Sequence, residues 1–155
     1  MGQRNIFMKN ELILRMPCHR VESFDSKLWQ LLDDMHETLK LAEGCGLAAN
    51  QVGIRRQVFV IHNGGKCLEF INPVITLAEG EIEDVEGCLS FPGKFGRVKR
   101  PAKIEVTAQD RAGEEFLIKA EALEARIICH ETDHLAGRLF VDIALDLEQT
   151  SKERY

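Results

Sequence analysis

The residues most able to do chemistry lie in Ile128-Cys-His-Glu-Thr-Asp-His-Leu135, which contains His130-Glu131-x-x-His134. On an α-helix, residues four apart share one face, one turn above each other. Two imidazoles can then address one metal ion, with Glu131 beside them to take a proton from a water at that centre. A catalytic site of this kind needs one further protein ligand. The metzincin pattern would continue to a third histidine; Gly137 stands in place, but the histidine position is Phe140, which cannot ligate. A carboxylate on a later helix would come from Asp142, Asp146, Glu148 or Glu153, in the few residues that remain. Upstream, Cys88 follows Glu86-Gly87, where the backbone can turn sharply, and Cys45 lies in a second glycine-rich stretch. Cys129 adjoins His130, but on a helix it points about 100° away. Cys88 is therefore the preferred third ligand and Cys45 the second choice. A Cys-His-His set favours zinc or iron(II).

These residues need elements to hold them. Residues 120–136 read as a helix, with Ala122, Leu123, Ile127, His130, Glu131 and His134 in one broad band and Gly137 ending it. Residues 25–43 read as another, with Leu28, Leu31, Leu32, Met35, Leu39 and Ala42 on one face. Asp25 or Ser26 can cap it, and Gly44 is expected to end it as a left-handed residue. Gly44 to Gly53 is expected to be a loop, in which Gln51, taken alone, reads as a side chain facing water. Strands are expected at 57–61, 67–71 and 74–77, with a break at Asn72-Pro73, then at 104–108 and 115–119, with 95–99 extended. The acidic run Glu79, Glu81, Glu83, Asp84 and Glu86 reads mostly as a solvated edge. The first 23 residues read as a short arm, 139–141 as a short apolar segment, and the polar tail from Asp146 as a helix without chemistry.

At 155 residues the chain suits one domain spanning 1–155. A net charge of −5 argues against a nucleic-acid-binding surface. No apolar run is long enough to span a bilayer, and the N-terminus shows no signal-peptide core. Five cysteines, an odd count without a secretion signal, argue against a disulfide framework and for a reducing cytoplasm.

Three stretches together carry a resemblance. Gly44-Cys-Gly-Leu-Ala-Ala-Asn-Gln51, Glu86-Gly-Cys-Leu-Ser90 and His130-Glu-Thr-Asp-His-Leu-Ala-Gly137 resemble, in order and separation, the three motifs of the peptide deformylases. The likeness runs from about Ile13 to Asp142 and includes Asp110-Arg111 and Gly96-Arg-Val-Lys-Arg100. It implies that Cys88, His130 and His134 hold Fe2+, replaceable by Zn2+ or Ni2+, and that Glu131 is the general base and later proton donor. It implies that Gln51 and the backbone N–H of Leu89 stabilise an oxyanion, which replaces the solvent-facing reading of Gln51. Gly46 would edge the peptide cleft, and Leu89, Leu123 and Ile127 would form the methionine pocket.

The expected fold is α+β, with antiparallel sheets around the helix that carries the H-E-x-x-H motif and an additional N-terminal helix packed outside. The expected partners are N-formylmethionyl nascent peptides, with transient ribosome contact and no membrane or specific nucleic acid. Two positions depart from the family pattern: Cys129 where glutamine is usual before the first histidine, and Asn50 where proline is frequent before Gln51. The alternatives are a deformylase-like amidase with another N-acyl substrate, a zinc endopeptidase and a structural-zinc module.

Overall fold

A computed structural model describes residues 2–150. After an extended arm interrupted by a 3₁₀ turn at Leu12–Arg15, the first helix, α1, spans Ser26–Ala42. Its buried stripe contains Leu28, Leu31, Leu32, Met35 and Leu39 as expected, and the Asp25 carboxylate accepts from Leu28 N–H at 3.2 Å. The helix ends differently from expectation. Glu43, not Gly44, takes the left-handed conformation, at φ 56°. Gly44 answers a steric demand instead, because a Cβ there would meet the Leu89 side chain at 2.9 Å.

The glycine-rich stretch is not a simple loop. It forms strand β1, Gly46–Ala48, and a 3₁₀ turn, Ala49–Val52. Strands β2, Val58–Asn63, and β3, Lys66–Glu79, follow as a hairpin. The expected break at Asn72-Pro73 is absorbed within β3 as a shift of register between Ile71 and Val74. Asn72 takes φ 52°, and its side-chain amide exchanges hydrogen bonds with the backbone of Val21. A side chain thus satisfies the backbone of the N-terminal arm at Val21, which belongs to no strand.

The later part of the acidic run, Glu83, Asp84 and Glu86, lies in strand β4, Ile82–Cys88, which pairs with β5, Phe91–Arg100. Strands β6, Lys103–Gln109, and β7, Glu115–Glu121, lead into helix α2, Ala122–Leu135. A single-turn helix α3, Phe140–Ile143, precedes strand β8, Leu147–Gln149. The expected helical tail is therefore a strand over Leu147–Gln149, templated by Lys94–Gly96 of β5; residues 151–155 lie outside the described residues.

The strands form two antiparallel sheets, ordered β1-β2-β3-β6-β7 and β4-β5-β8. Alternation along β2 sorts the core: Phe59 and Ile61 pack with Ile127, Ile128 and Leu135 of α2, whereas Val58 and Val60 pack with Leu28, Leu32 and Met35 of α1. Helix α2 also contacts β5 of the second sheet, so it is held between the two sheets and α1 lies outside. The expected α+β architecture is observed. Among the described residues no helix is long and apolar enough to cross a membrane.

Candidate active site

Helix α2 places His130 and His134 one turn apart on one face, with ring centroids 4.9 Å apart. Strand β4 ends at Cys88, where its register with β5 shifts. One donor atom each from Cys88, His130 and His134 lie within 4.8 Å of one another, and Cys88 Sγ is 3.4 Å from His134 Nε2. Cys45, the second choice, is exposed and is not a member of this set.

The donors are individually oriented. His130 Nδ1 is 2.9 Å from Glu86 Oε1, which leaves Nε2 to address the centre. Burial works against a charge on His130, but hydrogen bonds with Cys88 and Glu86 outweigh it and raise its pKa. Burial drives the pKa of His134 well below the usual imidazole value. Two imidazole nitrogens and a sulfur thus converge on one point beneath the surface, a donor set that suits a divalent cation.

Glu131 is buried, and burial pushes its carboxyl up to about 7. Its Oε1 has no hydrogen-bond partner among the described residues, which suits an acceptor for a water proton. Gly46 of β1 lies against it: a Cβ there would sit 2.5 Å from Glu131 Oε2. Glycine at this position is what lets the strand pass beside the carboxylate.

Gln51, in the 3₁₀ turn, is 1 % exposed and does not face water. Ala48 N–H donates to its Oε1 at 3.0 Å. Its Nε2 thereby turns towards Ser90 Oγ at 3.0 Å and Cys88 Sγ at 3.5 Å.

A cavity of about 400 Å³ opens beside these groups. Leu89, Leu123 and Ile127, the expected pocket residues, all line it, together with Val85, Phe95 and Arg126. Gly46, Cys88, His130 and Glu131 form its reactive side, whereas Gln51 and His134 are not among its lining residues.

Several participants have no role assigned from the sequence. Glu86, expected on a solvated edge, is buried; Arg100 donates to it at 2.7 and 2.9 Å and Arg126 at 2.7 Å. Arg100 also pairs with Asp133 at 2.7 Å. Burial would raise the pKa of Glu86, but hydrogen bonds from Arg100 and His130 and their charges lower it to about 2. Ser90, the acceptor for Gln51, was visible only as part of a motif. The two departures from the family pattern also have places. Asn50 donates to the His134 carbonyl at 2.6 Å, tying the turn to α2. Cys129 packs in the core beneath α2, where burial raises its thiol pKa to about 11 and keeps it protonated.

The chain is similar to known proteins over almost its whole length. The polypeptide deformylase family model matches residues 3–150. The chain is 51% identical over 142 residues to a peptide deformylase of Caldicellulosiruptor bescii, covering 92% of this chain and 86% of the relative. It superimposes on the crystal structure of peptide deformylase from Thermotoga maritima with a TM-score of 0.92 at 35% identity, covering 94% of this chain and 100% of that one. For the peptide deformylase of Legionella pneumophila the TM-score is 0.89 at 40% identity, with 92% and 86% covered. Fold, motifs and relatives agree over nearly the whole described chain, which belongs to the peptide deformylases, metalloenzymes that remove the N-formyl group from nascent peptides.

Proposed function

We propose that residues 1–155 act as one catalytic unit that hydrolyses the formamide of N-formylmethionyl peptides, with Cys88, His130 and His134 holding Fe2+, replaceable by Zn2+ or Ni2+. The observation that carries this is the three-donor set within 4.8 Å, beside the buried Glu131 and an apolar cavity. A bound divalent ion would polarise the formyl carbonyl and make water more acidic.

The chain's own residues do the rest. Glu131 takes a proton from the attacking water, whose oxygen bonds to the formyl carbon. Gln51 Nε2 and the Leu89 N–H donate to the oxyanion that develops on the formyl oxygen. Gln51 is suited to this because its Oε1 accepts from Ala48 N–H, which turns Nε2, the donor to Ser90 and Cys88, towards the reacting groups. Glu131 then passes a proton to the amine as the carbon–nitrogen bond breaks, releasing formate and a free peptide N-terminus. A single buried carboxyl, which burial pushes towards its neutral form, can serve both transfers.

The substrate backbone lies extended between β1 and β4, each a terminal strand of its sheet and so with an unpaired edge. The methionine side chain enters the cavity along Leu89, Leu123 and Ile127. The close approach of Gly46 to Glu131 narrows the cleft beside the carboxylate, which disfavours bulky acyl groups. We place the enzyme in the cytoplasm, in transient contact with ribosomes, without a membrane or specific nucleic-acid partner. Its described cysteines are all free, as a reducing compartment requires.

The test is turnover of formyl-Met-Ala-Ser and acetyl-Met-Ala-Ser under anaerobic conditions, with iron, nickel and zinc compared. The reading expects formate release from the first peptide alone, and loss of iron activity in air. Metal-loaded protein that releases no formate would overturn it; release of acetate at a comparable rate would assign a broader N-acyl amidase.

A further inference from the structure

Arg126 is buried in the wall of the cavity, outside the three motifs and without a step in the reaction. It lies on α2 one turn before His130, on the same face. Its guanidinium donates to Glu86 Oε2 at 2.7 Å, to the Ile82 carbonyl at 2.7 Å and to the Val98 carbonyl at 2.9 Å, with a longer contact to the Asp84 carbonyl at 3.5 Å. Two of these carbonyls belong to β4, which ends at Cys88, and one belongs to β5. The other Glu86 oxygen, Oε1, meets His130 Nδ1 at 2.9 Å. One side chain therefore joins the helix carrying two donors to the strand carrying the third, and fixes the carboxylate that orients the first histidine.

A fully desolvated guanidinium is retained only when its donors are satisfied. Here the charges balance locally: Arg100 and Arg126 face Glu86 and Asp133. Arg100 alone already gives Glu86 a bidentate partner, so neutralising Glu86 does not require Arg126. What Arg126 adds is reach, a planar fork that spans β4, β5 and α2 at once.

Resting on the reading of Cys88, His130 and His134 as metal ligands, we propose that Arg126 is a positioning residue: it sets the separation of Cys88 from the two histidines, and through Glu86 the orientation of His130. Groups that orient ligands typically change metal affinity by about 10–100-fold when removed. Loss of this strut is expected at the lower end of that range, because Arg100 still holds Glu86.

The test uses cobalt-substituted enzyme with Arg126→Leu and Arg126→Lys. Expected for Arg126→Leu are a shifted thiolate-to-cobalt absorption band and metal loss to a chelator faster by about tenfold. Arg126→Lys keeps the charge but cannot span three elements, so it should rescue only part of both changes. If Arg126→Leu melts below the assay temperature, Arg126→Lys is read alone. An unchanged band and chelation rate in a folded variant would overturn the proposal, as would failure of both variants to fold, which would make Arg126 a stability element. Wild-type turnover of formyl-Met-Ala-Ser is measured alongside. Its absence would count against the deformylase reading while the absorption and chelation data still judge Arg126.

Discussion

The two helices that flank the five-stranded sheet sit in opposite kinds of interior. Beneath α1, Val58, Val60 and Ile71 meet Leu28, Leu32, Met35 and Leu39, an almost wholly aliphatic contact. Around α2, apolar packing against Phe59, Ile61 and Phe70 shares the space with buried Glu86, Arg100, Arg126, His130, Glu131 and His134. Desolvating charged groups opposes folding unless each finds partners, and even well-made buried ion pairs rarely add net stability. The α1 side therefore stabilises the sheet, and the α2 side gives up part of that stability for an arrangement that the proposed metal binding and catalysis would use. Substitutions on the two sides should separate cleanly, one moving stability and the other chemistry.

The largest effect is expected at Cys88. Cys88→Ser should abolish the thiolate-to-cobalt band and strip most of the metal on dialysis, with little change in the far-UV spectrum. Survival of the band would return Cys45 to consideration. Next is Gln51→Leu, expected to lower kcat by about 10²–10³ with KM nearly constant if its amide stabilises the oxyanion. An unchanged kcat would reduce Gln51 to a packing role beside Ser90.

On the other side, Leu32→Ala should cost about 2–5 kcal/mol of unfolding free energy, since Leu32 is fully buried. Its kcat per metal-loaded, folded molecule should stay at the wild-type value; a large fall would break the separation of the two interiors. The smallest effect concerns the polar margin of α1, where His36 and Arg111 both bond to Glu69. Burial alone would raise the Glu69 pKa, but those hydrogen bonds and charges lower it from 4.5 to about 2. A carboxyl depressed in the folded state stabilises above its unfolded pKa, and the contribution fades as pH falls from about 4.5 towards 2. Acid unfolding should therefore be shallower across that window in Glu69→Gln than in the wild type; parallel curves would contradict the assignment.

What could be read from the sequence was what is local. The helical register of His130, Glu131 and His134 and the apolar stripe of α1 depend on residues three or four apart, and both stand in the fold as expected. Cys88 was preferred because glycine precedes it. The acidic run reads mostly as a solvated edge because its local composition is acidic, whereas the partners that bury Glu86 (Arg100, Arg126 and His130) lie 14, 40 and 44 residues away. Only the pairing of β4 with β5 and the seating of α2 bring them together. The same holds for Leu147–Gln149, a polar segment that becomes a strand because β5 offers it an edge. Gly44 was assigned a left-handed turn for its lack of a side chain, yet the constraint came from Leu89, remote in sequence.

The central claim is that Glu131 moves the protons at a centre held by other residues. It is tested most directly by comparing wild type with Glu131→Ala at equal, counted metal content, in anaerobic turnover of formyl-Met-Ala-Ser. The account predicts one metal per chain in both and a fall in kcat of about 10²–10⁴ in the variant. Turnover within a few-fold of wild type at full metal occupancy would contradict it.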